Sequence, residues 1–201
     1  NSVNNYPAQL PLTYSLAYTF VDDNIAPDLG QTPPLRDSGD IDAVNTYPAA
    51  VAYFEQRRCF SGSNSEPQTI YMTRSGTESD LAYTFPSQDT DRIKFRVAAR
   101  ERNRVRHLLP MGNLVMLTNS SEWRVTSVNT DVMTPTSISV RPQSYIGANN
   151  VQPAIINATV LFCAERGGHV RELGYDGNIQ GFRTGDMSLR ATHLFDSYEL
   201  V

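Results

Sequence analysis

The chain has 201 residues, a formal net charge of −4, 40% hydrophobic and 9% aromatic residues. This length suits one globular domain or slightly more, and the composition argues against a disordered or membrane protein. No apolar run approaches the roughly 18 residues that a membrane helix needs, and the negative net charge gives no general reason to expect tight nucleic-acid binding.

The first 46 residues are rich in Pro, Asn and Asp and contain one predicted strand, at residues 14–21 (YSLAYTFV). Pro33, Pro34 and Pro48 disfavour regular strand pairing after it. We therefore predict a boundary near Tyr47. Residues 1–46 would be an N-terminal strand and a Pro/Asp-rich linker that ends a preceding module, and residues 47–201 a β domain. The start lacks a signal-peptide pattern and an initiator Met, so we expect a piece of a longer polypeptide.

Three segments of similar organisation follow the boundary. Each shows two strands, a small polar turn and a third strand, and the central strands lie near Cys59, Met116 and Phe162, about 57 and 46 residues apart. Such spacings, with three or four strands per unit, are typical of β-propeller blades. The pattern predicts an all-β fold with little helix, in which repeated antiparallel blades form a partial propeller. An irregular β-sandwich is the alternative.

The middle unit, residues 108–128, has the clearest strand pattern. Gly112-Asn113 and residues 119–121 are turn signals on either side of the apolar run LVMLT. In the next run, EWRVTSV, Trp123 and Val125 alternate with polar residues, which predicts a half-buried strand with Glu122 on its polar face. Across the chain, the predicted core residues are Trp123, Val125, Leu117, Phe162, Cys59 and Cys163.

The two cysteines lie in separate apparent strand interiors with apolar neighbours. This placement favours small, reduced core residues over a disulfide. Neither a CxxC motif nor paired histidines accompany them, so a metal site is not predicted.

Seven of the 17 Lys and Arg residues fall in one short segment: Arg92, Lys94, Arg96, Arg100, Arg102, Arg104 and Arg106. Their spacing of two predicts two strands, with a break at Ala98-Ala99 and the cations on one face. Three interpretations remain open: a solvated strand face, a subunit interface in which arginines pair with carboxylates, or contact with DNA phosphates.

Motifs for chemistry are sparse. His107, His169 and His193 are isolated, and the acidic clusters at Asp22-Asp23-Asp28 and Asp37-Asp40-Asp42 lack the spacing of a calcium loop. Gly167-Gly168 is predicted to be a hairpin turn rather than a phosphate loop. Glu122 beside Trp123 is the nearest indication of a glycosidase, which needs two carboxylates. We predict no catalytic residue, no metal and no cofactor.

Several segments, taken in order, resemble a known family. They are YPAAVAYFEQRRCFSG, EPQTIYMTRSG, RVRHLLPMGNLVMLTNSSEWRV and the stretch PTSISVRPQSYIGANNVQPAIINATVLFCAERGGHVRELGYD. Together they resemble the tail nozzle proteins of short-tailed bacteriophages, also described as tail tubular protein B-like or packaged-DNA stabilisation proteins. The resemblance runs from about Asp22 to Phe195. At Arg58 and Cys59 the family carries aliphatic residues, and RERNRVR is denser in charge than the family pattern.

The resemblance implies a non-enzymatic virion protein that is assembled in the host bacterial cytoplasm. It implies a subunit of a homo-oligomeric, hexameric ring at the distal end of the tail, built on a β-propeller, that retains packaged DNA and conducts it during ejection. Implied partners are other tail proteins, on the adaptor or portal side and among the tail fibres. Double-stranded DNA would pass through the lumen without sequence-specific contact. The alternative function is a tail module that binds or degrades envelope polysaccharide.

Overall fold

The structure, a computed structural model, describes residue 41 and residues 43–99, 102–128 and 132–190. The predicted strand at residues 14–21 and almost all of the predicted N-terminal module lie outside these residues, so the domain boundary stays a prediction. Within the described part, twelve strands and no helix are present, which confirms the all-β class. Accordingly, no described helix is long and apolar enough to cross a membrane.

The strands form three sheets of four, and in each sheet the strands pair antiparallel in chain order. Sheet 1 contains β1 (Ala50–Phe54), β2 (Arg57–Ser61), β3 (Thr69–Met72) and β4 (Ile93–Arg96). Sheet 2 contains β5 (Val105–Pro110), β6 (Leu114–Thr118), β7 (Glu122–Ser127) and β8 (Ile138–Ser144). Sheet 3 contains β9 (Ala154–Ile156), β10 (Thr159–Cys163), β11 (Val170–Asp176) and β12 (Gly181–Asp186). The three central strands predicted from the repeat are β2, β6 and β10.

Sheet 2 is packed between the other two sheets. All five residues of β6 are buried, because successive side chains of a strand point to opposite faces and here both faces are covered. Leu114 and Met116 belong to the core shared with sheet 1, whereas Val115 and Leu117 belong to the core shared with sheet 3. Each side chain of this size, once buried, contributes roughly 1.5–3 kcal/mol. The result is three stacked sheets with two apolar interfaces, and the described sheets do not close into a ring.

The two ends of the stack differ. At one end, here called the linker end, the chain passes between sheets: the Val105 N–H donates to the Pro67 carbonyl at 3.0 Å and the Ala148 N–H to the Thr118 carbonyl at 2.8 Å. The opposite end, here called the hairpin end, carries the turns that follow the first and third strand of each sheet. There the Met133 N–H donates to the Glu55 carboxylate at 2.7 Å.

Two strand predictions needed correction. Each sheet has a fourth strand, and β8 and β12 were not predicted, because these outermost strands are partly exposed and polar and β8 contains Pro142. The prediction of a second strand in the basic segment, beginning directly after Ala98-Ala99, was also wrong. Residues 97–104 contain no strand among those described, and β5 begins only at Val105. The break is longer than Ala98-Ala99 because the chain crosses here from sheet 1 to sheet 2.

Candidate functional site

The first half of the basic segment lies on the outer face of sheet 1, the face turned away from sheet 2. Lys94 and Arg96 are exposed in β4. The Lys94 ammonium is 3.9 Å from the Glu66 carboxylate and 5.0 Å from the centre of the Tyr71 ring. Arg92, just before the strand, places its guanidinium 4.6 Å from the centre of the Tyr83 ring. Arg92 and Lys94 therefore lie beside aromatic rings, where a cation is attracted to the ring face.

The second half lies at the linker end and joins elements of the chain. The Arg104 Nε donates to the Gly62 carbonyl at 3.2 Å. Arg106 forms a two-pronged ion pair with Glu165, in the turn after β10, and also donates to the Ala148 carbonyl at 3.0 Å. Such bidentate pairs are among the stronger polar contacts. Arg106 therefore links sheet 2 to sheet 3.

The prediction that the seven cations share one strand face is therefore wrong. A strand spacing of two can align side chains only where the backbone is a continuous strand, and here β4 ends at Arg96 and β5 starts at Val105. Arg102 is exposed in the connection between them, and Arg100 lies outside the described residues. A register shift between Val105 and His107 further separates Arg106 from the earlier residues.

A polar cleft of about 800 Å³ opens at the linker end, beside this connection. It is bordered by turns and linkers from all three sheets. Tyr145 is 72% exposed, whereas Trp123 is 6% exposed. The residues around the cleft include Ala98, Asn103, Asn119, Ser120, Ser121, Trp123, Pro142, Tyr145, Glu165 and Arg166. Amide, hydroxyl and charged groups beside aromatic rings could bind a polar ligand by hydrogen bonding and stacking.

A hydrogen-bond network lies below this cleft. The Trp123 Nε1–H donates to the Ser121 hydroxyl at 2.7 Å, and the Asn103 side-chain amide donates to the same hydroxyl at 2.9 Å. Ser120 donates to the Asn103 side-chain carbonyl, and the Thr118 hydroxyl donates to the Ser121 carbonyl at 2.7 Å. These groups satisfy one another, so the network orders the turn between β6 and β7.

Glu122 was predicted on a polar face and is instead fully buried. One oxygen of its carboxylate accepts from the Gly147 N–H at 2.8 Å, and the other accepts from the Ser144 hydroxyl and, at 3.4 Å, from the Ile146 N–H. Glu122 does alternate with Trp123, but it pairs with Leu117 on the face of sheet 2 that sheet 3 covers, and the linker after β8 lies against its carboxylate. Glu122 therefore fixes the linker after β8 by hydrogen bonds, and it does not line the cleft.

The histidines do not form a catalytic or metal-binding group in the part of the chain that is described. His107 Nε2 lies 2.8 Å from the Asn149 carbonyl, and burial lowers the pKa of His107. His169 Nδ1 lies 3.2 Å from both Asp186 and Ser188. In a catalytic triad the serine and the carboxylate contact opposite ring nitrogens, so this shared contact at one nitrogen does not match. His193 lies outside the described residues, which contain no group of three metal-ligating side chains.

Asp186 is nevertheless held in its charged form. Hydrogen bonding from the Ser188 hydroxyl lowers the pKa of Asp186, and the nearby His169 and Arg171 lower it further.

The predicted acidic clusters between Asp22 and Asp42 lie outside the described residues. Gly167 and Gly168 both have positive φ angles and form the turn between β10 and β11, as the sequence predicts.

Five of the six predicted core residues are buried: Trp123, Val125, Leu117, Phe162 and Cys59. Cys163 is half-buried on the outer face of sheet 3. Both thiols are free, and burial raises the pKa of Cys59 to about 12.

No protein-family model matches the chain, and no curated protein matches it.

Sequence reasoning missed Asn103 and Tyr145, which border the cleft. Asn103 sits within the basic segment and Tyr145 in a linker without strand alternation, so neither stood out. Their juxtaposition depends on the linkers that connect the sheets.

Proposed function

We propose that this chain is part of a propeller-type structural subunit of a phage tail nozzle, a ring that retains packaged DNA and conducts it during ejection. The observation that carries the proposal is the stack of three successive four-stranded meanders. Repeated sheets of this kind, each covering the apolar face of the previous one, are the building principle of a propeller. The sequence resemblance to the tail nozzle family supplies the biological role.

The two outer faces of the stack support a larger assembly. On sheet 1, Val51 and Tyr53 are 59% and 56% exposed, and on sheet 3, Ile156 is 53% exposed. Large apolar side chains on the exposed face of a sheet favour coverage by another surface. A further sheet of the same polypeptide or a neighbouring subunit would provide that coverage in a ring.

The basic residues fit a subunit interface better than a DNA-binding surface. Arg96 shares the outer face of sheet 1 with Val51 and Tyr53, and arginine and aromatic residues are enriched at protein interfaces. Arg106 is already paired with Glu165. A DNA conduit also works best without strong phosphate contacts, because each neutralised phosphate adds salt-dependent binding affinity.

The test is the assembly state of the full-length protein at micromolar concentration. We expect a closed ring with a central channel in negative-stain images and a matching mass by light scattering. A protein that stays monomeric and shows no ring would contradict the proposal. Retention on DNA at low salt that is lost in a combined Arg102→Ala and Arg104→Ala variant would instead favour direct DNA binding.

The linker-end cleft favours a second candidate function, the binding of envelope polysaccharide. Sugars bind where an aromatic ring lies near hydrogen-bonding side chains, and Tyr145 borders such a site with Asn119 and Glu165. Hydrolysis is not part of this candidate, because Glu122 is buried outside the cleft. Calorimetric titration with purified host polysaccharide should show binding that Tyr145→Ala removes. No heat with the unmodified protein would exclude this function.

A further inference from the structure

Some polar groups around the linker-end cleft are used within the protein and others are free. The side chain of Asn103 bonds to the hydroxyls of Ser120 and Ser121, so these groups mainly order the turn between β6 and β7. Asn119 and Arg166 also border the cleft and lie outside that network. The chemistry of these two side chains therefore determines which ligand the cleft favours.

The side-chain amide of Asn119 has a fixed orientation. Its oxygen accepts from the Arg104 N–H at 2.8 Å, and a backbone N–H can donate only to the oxygen of an amide. The Asn119 N–H also donates to the Arg104 carbonyl at 3.2 Å, which holds the same contact from the backbone side. In the part of the chain that the structure describes, the amide NH₂ group has no bonded acceptor. It therefore presents hydrogen-bond donors at the border of the cleft.

Arg166 gives the cleft a positive charge. Among the described residues, the charged side chains that border the cleft are Glu165 and Arg166. Both oxygens of the Glu165 carboxylate accept from the Arg106 guanidinium, so these two charges balance. Arg166 is exposed and has no carboxylate partner in the described ranges. Its guanidinium is available to an anionic ligand.

The linker after β8 brings these donors close to an aromatic ring. In this linker the Gly147 carbonyl accepts from the Glu165 N–H at 2.9 Å, and the N–H of the next residue donates to the Thr118 carbonyl at 2.8 Å. Glu165 and Thr118 directly precede the two donor residues in the sequence. Tyr145, which begins the linker, is 72% exposed and borders the same cleft. Both donors and the tyrosine ring are therefore positioned by one short segment.

This combination matches a sugar that carries a carboxylate. A guanidinium and an amide NH₂ donate hydrogen bonds and accept none, so they suit a ligand group that only accepts. A planar carboxylate takes paired hydrogen bonds from an arginine. The C–H face of a sugar ring packs on an aromatic ring such as that of Tyr145. The cleft volume of about 800 Å³ lies within the range of ligand pockets.

From these contacts we infer that the linker-end cleft binds an acidic saccharide, with the sugar carboxylate at Arg166 and Asn119 and the sugar ring on Tyr145. The inference rests on the second candidate function, polysaccharide binding, and names the class of polysaccharide. A nucleic acid is also anionic, but it carries a charge on every nucleotide. Arg166 is a single unpaired cation in the described border of the cleft, which suits an isolated carboxylate better.

Trp123 provides a local readout, because it is the chain's only tryptophan and it borders the cleft. The probe is an oligomer of galacturonic acid, and the matched ligand is the same oligomer with its carboxylates reduced to alcohols. Titration into the full chain should change the fluorescence of Trp123. The acidic oligomer should bind about 10-fold more tightly than the neutral one. This preference should shrink as the salt concentration rises, because ions screen the attraction between Arg166 and the carboxylate.

Three variants separate the contributions to binding. Arg166→Gln should abolish the preference for the acidic oligomer and keep the binding of the neutral one. Asn119→Asp keeps the oxygen that accepts from the Arg104 N–H and replaces the NH₂ donor with a second carboxylate oxygen, so it should weaken the acidic oligomer about 10-fold. Tyr145→Ala should weaken both oligomers. Arg183→Gln is the matched control, since it removes an exposed arginine that does not border the cleft, and it should leave both affinities unchanged.

The outcomes separate this inference from polysaccharide binding in general. Equal affinity for the two oligomers would overturn the inference and leave polysaccharide binding intact. Binding of neither oligomer would also overturn it, and the titration with host polysaccharide would then test the candidate function independently. A single-stranded DNA of the same charge that displaces the acidic oligomer at equal concentration, and does so less well in Arg166→Gln, would overturn it in favour of a general anion site. Unchanged thermal unfolding of Arg166→Gln would show that its loss of preference does not come from unfolding.

Discussion

Glu122 gives the sharpest test of the structure, because its burial contradicts the simplest interpretation of the sequence. The carboxylate is fully buried and faces only hydrogen-bond donors: the Gly147 N–H, the Ser144 hydroxyl and the Ile146 N–H. Glu122→Gln keeps the shape and replaces one acceptor oxygen with a donor. Glu122→Ala removes both oxygens and leaves the donors without a partner.

The two variants should differ in how much they lower the free energy of unfolding. In Glu122→Gln the amide can turn so that its oxygen still accepts from Gly147 while its NH₂ donates to the Ser144 oxygen, and only the longer Ile146 contact is lost. We expect a loss of about 1–2 kcal/mol in the free energy of unfolding. Glu122→Ala leaves the Gly147 N–H buried and unpaired and adds a cavity, so we expect a loss of about 3–4 kcal/mol.

Urea unfolding followed by tryptophan fluorescence measures this difference directly, since Trp123 is next in sequence. With a slope of about 2 kcal/mol per molar urea, the midpoint should fall by roughly 0.5–1 M for Gln and by about 1.5–2 M for Ala. Glu78→Gln, at a solvent-exposed ion pair with Arg58, is the control and should cost no more than about 0.5 kcal/mol. An Ala variant as stable as the control would refute the structural role of Glu122.

Three further results are expected. Gly147→Ala should destabilise the fold by about 2 kcal/mol or more, because Gly147 has a φ of 81° and an added Cβ would lie 2.3 Å from a backbone oxygen, whereas Gly112→Ala meets no atom and should be nearly neutral in thermal unfolding. Hydrogen bonding lowers the pKa of Asp186, so its carboxylate contributes fully to the free energy of unfolding above the unfolded pKa near 3.9. That contribution is lost as the pH falls through the folded pKa. Asp186→Asn should therefore weaken the loss of stability at acidic pH, and an unchanged acid dependence would contradict this. A thiol reagent should label Cys163 in the folded protein and Cys59 only after unfolding, since Cys59 is fully buried; equal labelling rates would contradict its burial.

Local pattern predicted much of the architecture. The alternation around Trp123 and Val125 predicts both a strand and its buried face, because successive side chains of a strand point to opposite faces. The apolar runs around Leu117 and Phe162 likewise predict buried strands. The glycine pair at 167–168 likewise predicts its turn, since adjacent glycines readily adopt positive φ. These features depend on neighbours in the sequence.

The basic segment shows where local pattern fails. Its regular spacing of cations looks like a strand face, yet the chain leaves sheet 1 after Arg96 and enters sheet 2 at Val105. The crossing is decided by the packing of the two sheets. The fourth strands β8 and β12 were missed for a related reason, because edge strands are covered on fewer sides and need less apolar alternation.

The sequence by itself determined that this is a β protein of repeated units with an apolar strand at the centre of each. Only the tertiary structure decided which faces those strands share, that Glu122 is buried under the linker after β8, and that Arg106 joins sheet 2 to sheet 3. Strand formation follows from side chains two residues apart, whereas these contacts join residues tens of positions apart and depend on how whole sheets stack.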